Sequence, residues 1–225
     1  MLILKYHFRM DIKAAGPGKI RNLVIFLFAK VMRSLPSAVR RKIVISGELT
    51  AFQNWILKDF PASRFFVSRE ALWLSICEKL KGQQFRILEL GVAHGYATKW
   101  FLDHYPIDQK NLSSELTSYD GFDLFSGLPD SWRDLPSGYF NNFGVTPNIN
   151  DSRLTFHVGY VENEILKMKT TDFYNKTTFI IFDLDLYEPT LASYLHLRDL
   201  IKAGDIIYFD EAFDEEEQRV SEKIY

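Results

Sequence analysis

Two apolar runs end in acids. FDLDLYEPT (Phe182 to Thr190) places Asp183 and Asp185, and IIYFDEAFD (Ile206 to Asp214) places Asp210 and Glu211, at the ends of segments that read as neighbouring strands. Like charges gathered in one place must raise a pKa or recruit a cation. An all-oxygen donor set suits a hard ion such as Mg²⁺, Mn²⁺ or Ca²⁺ rather than zinc. The competing reading is that some of these acids cap a helix beginning near Glu188. A second signal is ILELGVAHGYATKWF (Ile87 to Phe101), an apolar strand that ends in Glu89, breaks at Gly91 and Gly95, and enters an amphipathic helix. Such a turn faces backbone N–H groups toward a ligand, and glycine lets the ligand come close. A dinucleotide fingerprint needs G-x-G-x-x-G, whereas the spacing here is E-x-G-x-x-x-G. The Glu89 carboxylate repels a pyrophosphate and suits a cationic ligand. An ordinary strand, turn and helix with packing glycines is the alternative.

Three more residues fall in positions with chemical use. Asp123 closes the next strand-like run (SYDGFDLF), where an acid accepts hydrogen bonds from both ribose hydroxyls of an adenosine moiety or else caps a turn. Tyr160 follows the run LTFHVG, where an aromatic ring flanks an adenine or is simply a buried core tyrosine. His94, inside the glycine turn, is a candidate base, although a histidine in a turn is more often merely tolerated.

These residues need a scaffold, and the pattern around them supplies one. SREALWLSICEKL (Ser68 to Leu80) reads as a helix with Ser68 as N-cap and Glu70 in its first turn. Strand and helix patterns then alternate: strand 86–90, helix 95–104, strand 116–123, a long loop, strand 154–158, helix 161–168, strand 178–184, helix 188–201 and strand 205–210. This alternation predicts an α/β fold, a doubly wound and mostly parallel sheet. Ligands of such sheets bind outside the carboxyl ends of the strands, where the acids lie. Residues 1–66 read as a helical extension and 67–225 as the α/β domain. Only about a dozen residues follow Phe213, too few for a terminal strand hairpin, so a shortened or truncated domain with an exposed sheet edge is expected. The acidic run Asp214 to Glu217 reads as a solvated helix start.

Composition narrows the partners. With 27 basic and 29 acidic residues the formal charge is −2, which leaves no electrostatic footprint for a nucleic-acid backbone. A small-molecule substrate is expected instead. The single cysteine, Cys77, cannot form an internal disulfide, which favours a reducing, cytoplasmic setting. KIRNLVIFLFAKVMR (Lys19 to Arg33) is apolar with basic ends but falls short of the roughly 20 residues that span a bilayer. It reads as a helix docking on the domain or on a second subunit, in preference to a membrane surface. Homo-oligomerisation is expected, because this helix and the sheet edge both need cover.

Taken together, ELGVAHG, GFDLFSGLPDSW, the Gly-Tyr after the third strand, DLDLYEPT and FDEAF resemble the macrocin O-methyltransferase family of class I S-adenosylmethionine-dependent methyltransferases, over roughly residues 68–213. The resemblance implies a Rossmann-like fold and a divalent-cation-dependent enzyme, Mg²⁺ first, methylating a hydroxyl of a sugar or polyhydroxylated small molecule. It implies S-adenosylmethionine contacts from Glu89, Gly91, Gly95, Asp123 and Tyr160, and metal ligands from Asp183, Asp210 and Glu211. A metal-bound hydroxyl would lose its proton to Asp183, Asp185 or water. The chain departs from the family in Glu211, where aspartate is usual, in Pro189, and in the segment NNFGVTPNINDSR. With Trp132, Tyr139 and Phe140, that segment reads as a lid over the acceptor. A nicotinamide oxidoreductase and a non-catalytic cofactor-binding or assembly module are the rival readings.

Overall fold

The computed structural model describes residues 19–107, 115–133, 135–173, 176–210 and 212. Its contacts divide the chain into two units, one up to Pro61 and one from Ala62.

In the first unit, α1 (Lys19–Ser34) and α2 (Ser37–Asp59) are separated at Leu35 and Pro36. Pro36 sits outside α2 with φ −53 and ψ 145, the extended geometry proline favours ahead of a helix. Residues 1–18 of the expected helical extension lie outside the described residues.

The second unit opens with α3 (Arg69–Leu80), whose N-cap Ser68 accepts the Ala71 N–H at 3.2 Å, as expected from the sequence. Five strands follow: β1 (Phe85–Leu90), β2 (Leu116–Asp123), β3 (Leu154–Val158), β4 (Thr177–Phe182) and β5 (Ile206–Phe209). They form one parallel sheet in the order β3-β2-β1-β4-β5. α4 (Tyr96–His104) links β1 to β2, and α6 (Tyr187–Leu197) links β4 to β5. The order reverses beside β1, so the crevice at the carboxyl ends of β1 and β4 is the switch point at which open α/β sheets bind ligands.

The central strands are covered on both faces, which is why all six residues of β1 are buried. Alternation sends Phe85 and Ile87 of β1, Tyr119 of β2 and Phe179 and Ile181 of β4 toward a core with Trp73, Ile76, Leu80 and Phe101 from α3 and α4. Trp73 is the centre of it, with ring centroids of Trp100 and Phe101 both at 5.1 Å and Tyr208 edge-on at 6.5 Å. Leu88, Leu90, Ile180 and Phe182 point the other way, onto Val161, Ile165, Phe173 and Leu197. Arg86 is buried on that face because Asp120 of the adjoining strand pairs with it at 2.8 Å, and His157 Nε2 lies 3.0 Å from the other Asp120 oxygen.

Some element bounds differ from the sequence expectation. β4 stops at Phe182 rather than 184: the Asp183 N–H bonds Leu90 O at 2.8 Å, and Asp185 takes a left-handed backbone with φ +61, so the chain turns before the apolar run ends. The helix expected at 161–168 is one α-turn, α5 (Val161–Glu164), tightened into a 3₁₀ turn at Ile165–Lys167. Pro189 falls in the first turn of α6, where a missing N–H leaves no bond unmade. The segment after Ala212, where a terminal hairpin would begin, lies outside the described residues.

Candidate functional site

β1 ends in Glu89 and Leu90, and alternation turns Glu89 into the core beneath α4. It is 1 % exposed. The Tyr119 hydroxyl donates to Glu89 Oε2 at 2.8 Å, and the Thr98 hydroxyl donates to the same oxygen. Burial pushes this carboxyl up to about 8; the two hydroxyl donors oppose the shift, and the nearby Asp123 charge adds to it. A buried acid poised in this way becomes ionised when a cation is brought against it.

The turn after β1 is built tightly around Gly91, whose φ is +92. A Cβ there would stand 1.8 Å from the Asp183 carbonyl oxygen. The glycine is therefore required by the backbone leaving β4, not by room for a ligand alone. Gly95, with φ +77, is the N-cap of α4, and its open side faces Pro147 and Ile149 at 3.0 and 3.2 Å. It does not line the main cavity.

Asp123, the last residue of β2, binds this turn. The N–H groups of Val92 and Ala93 both donate to its Oδ2 at 2.8 Å, and the Phe125 N–H donates to Oδ1 at 2.6 Å. Of the two uses open to this acid, the structure shows turn capping, and a carboxylate with about four acceptor directions keeps room for a further donor. Tyr160 precedes α5 and is 51 % exposed, so the buried-core alternative for it is set aside.

One cavity of about 320 Å³ opens at the carboxyl ends of β1, β2, β4 and β5 and gathers these groups. Glu89, Gly91, Asp123, Tyr160, Asp183, Asp185 and Asp210 all line it, and His94 stands at its edge with its side chain exposed. Trp132 and Phe140, from the loop between β2 and β3, form its outer wall. That loop is held by its own main chain, with Leu128 N–H to Tyr139 O at 2.9 Å and Gly144 N–H to Phe125 O at 2.8 Å. Trp132 is buried, and its indole N–H has no protein acceptor.

The acid cluster differs from expectation in its counter-charge. Arg69, in the first turn of α3, sets Nη2 2.8 Å from Asp210 Oδ2, and the Tyr208 hydroxyl donates to Asp210 Oδ1. The sequence reading recognised no local cation; the structure provides this one. Its signal was a basic residue directly after an N-cap, where the helix dipole favours acids. Asp183 lies beside the pair, its carboxyl held well above the usual range by burial and then by Asp210 and Asp185. Glu211 lies outside the described residues. Among the described residues no group of three or more His, Cys, Asp or Glu side chains is placed to hold a metal. The donor set implied for Mg²⁺ is thus not assembled among them, and Asp210 is engaged by Arg69.

No protein-family model matches the chain, and no curated protein sequence does. Solved structures are similar, among them two of one protein. A crystal structure of CalS11, a calicheamicin methyltransferase, superposes with a TM-score of 0.51 at 20 % identity, covering 95 % of this chain and 88 % of that one. The likeness lies in the fold. An apo structure of CalS11, described as a TDP-rhamnose 3'-O-methyltransferase, gives a TM-score of 0.49 at 18 % identity, with 95 % and 89 % covered. The chain thus has the Rossmann-like α/β fold of a methyltransferase structure, as the alternation of elements predicts. No described helix is long and apolar enough to cross a membrane.

Proposed function

We propose that this chain is an S-adenosylmethionine-dependent O-methyltransferase whose acceptor is a hydroxyl of a sugar or other polyhydroxylated small molecule. The observation that carries the reading is the cavity at the switch point, where a buried acid, an exposed aromatic and an acid–arginine cluster meet. The fold likeness to a calicheamicin methyltransferase agrees with it.

The residues fit the cofactor. The Glu89 carboxyl suits the ammonium of its methionine moiety, the free acceptor direction of Asp123 suits a ribose hydroxyl, and Tyr160 offers a face to adenine. S-adenosylmethionine, when bound, supplies an electrophilic methyl on a sulfonium. Asp183, whose raised proton affinity matches the task of a base, would take the proton of the acceptor hydroxyl. Arg69 engages Asp210 at 2.8 Å, which leaves Asp183 and Asp185 as the acids of the cluster outside that pair, and Asp183 has the raised proton affinity. Trp132 and Phe140 exclude water from the acceptor side. Most of the acceleration is positioning.

Calorimetric titration of the chain with S-adenosylhomocysteine and, separately, with NAD tests the reading. One-site binding of the first and none of the second is expected. Preference for NAD supports the oxidoreductase, and binding without turnover on any hydroxyl acceptor supports the non-catalytic module. Turnover abolished by a chelator and restored by Mg²⁺ would assign the acid cluster to a metal instead.

A further inference from the structure

The first unit carries a surface that the proposed reaction does not use. On α1, Val24, Ile25, Phe26, Leu27 and Phe28 are 59, 42, 66, 50 and 58 % exposed. Five consecutive residues at 3.6 per turn go all the way round a helix, so this stretch has no polar face of its own. A helix apolar all round is normally buried in protein or lipid. Val31 on the same helix and Val39, Ile43 and Val44 on α2 add to the exposed apolar surface.

Charge decides what covers it. Between Asp11 and Glu48 the sequence has no acidic residue. Lys30, Arg33, Arg40, Arg41 and Lys42 are all exposed within and beside the apolar stretch. A second copy would bring the same cations against one another, whereas an anionic surface neutralises them. The apolar stretch from Leu23 to Ala29 is about 10 Å long at 1.5 Å per residue, against about 30 Å for a bilayer core, so it lies in an interface and does not span one.

We infer that α1 and the start of α2 dock on an anionic lipid surface, with Val24 to Phe28 in the acyl boundary and the basic residues on the headgroups. This departs from the sequence expectation of a helix docking on the domain or on a second subunit, because a like-charged neighbour does not suit a self-contact.

The test is co-sedimentation of the full chain with phosphatidylcholine vesicles, with and without phosphatidylserine. Binding that requires phosphatidylserine and weakens at high salt is expected. Lys30→Glu with Arg33→Glu removes two attractive charges at about 1 kcal/mol each, a loss of about thirtyfold or more in partition. Phe26→Asp with Phe28→Asp abolishes partition. Both pairs replace exposed side chains, and unchanged near-ultraviolet circular dichroism confirms that each variant is folded. No partition of the wild-type chain, equal partition onto both vesicle types, or a concentration-dependent dimer that Phe26→Asp with Phe28→Asp dissolves while vesicles stay unbound would overturn the inference.

Discussion

Arg69 Nη2 stands 2.8 Å from Asp210 Oδ2, so the end of β5 is tied to the first turn of α3 by a charge pair at the rim of the cavity. The Asp210 side chain is 6 % exposed, which makes its charge expensive to leave alone. Arg69→Ala should lower the proposed transfer by about tenfold to a hundredfold, with an apparent stability loss of about 1–2 kcal/mol, because the arginine itself is partly solvated. Arg69→Lys should recover part of it. Comparison of kcat and of S-adenosylhomocysteine affinity across the three proteins checks this; an unchanged kcat in the alanine variant removes Arg69 from the mechanism.

The buried Glu89 gives a pH signature. Its carboxyl sits at about 8 in the folded chain against 4.5 for an ordinary glutamate, so the folded state holds a proton that the unfolded state has lost. Stability should therefore fall as pH rises from about 4.5 through 8, by a few kcal/mol at most. Glu89→Gln should flatten that slope in thermal melts. A cation bound against Glu89 ionises it, so binding of S-adenosylhomocysteine near neutral pH should release a proton. Titrations in buffers of different ionisation enthalpy read that proton directly, and identical heats would show that Glu89 does not meet the ligand's charge.

Gly91→Ala should be severely destabilising. Its Cβ would lie 1.8 Å from the Asp183 carbonyl oxygen, in a left-handed backbone that adds strain of its own. A loss of about 4 kcal/mol or more is expected, in the class of the largest single-residue effects. Denaturant midpoints measure it; a shift within the ordinary range of surface substitutions contradicts the backbone contact.

Asp183→Asn should separate binding from chemistry. The amide keeps the size of the side chain and removes the base, so kcat should fall by about 10² to 10⁴ while S-adenosylhomocysteine affinity changes little. Retained turnover would move the proton acceptor elsewhere, with Asp185 and His94 the next to vary.

Much of this architecture was readable from residue order because parallel strands and their covering helices leave strong local marks. The apolar runs around Ile87 and Ile180 and the cap at Ser68 act within a few residues of themselves, and the strand-ending acids mark where each strand stops. What residue order could not show was contact between distant segments. Gly91 was assigned to a ligand and does line the cavity, but its missing side chain also makes room for the Asp183 carbonyl oxygen, 92 positions on. Gly95 was read as a cofactor contact; its neighbours in the fold are Pro147 and Ile149, 52 and 54 positions on, outside the main cavity. Arg69 went unnoticed because its partner Asp210 is 141 positions away and only the fold brings the two together. Glu89 was legible by spacing, but its protonation depends on Thr98 and Tyr119, which only the fold brings to it.

Asp123 has a consequence for where adaptability resides in this molecule. One carboxylate collects three main-chain donors from two separate turns, so the conformational entropy of this side of the cavity is surrendered once, during folding. Ligand arrival there demands no further ordering, and exchange of cofactor for product should be rapid and leave the backbone as it was. The opposite wall, around Trp132 and Phe140, is held by main-chain bonds within its own loop, such as Leu128 N–H to Tyr139 O. If the proposed transfer holds, selection for a new acceptor can rework that wall without disturbing the rigid half around Asp123.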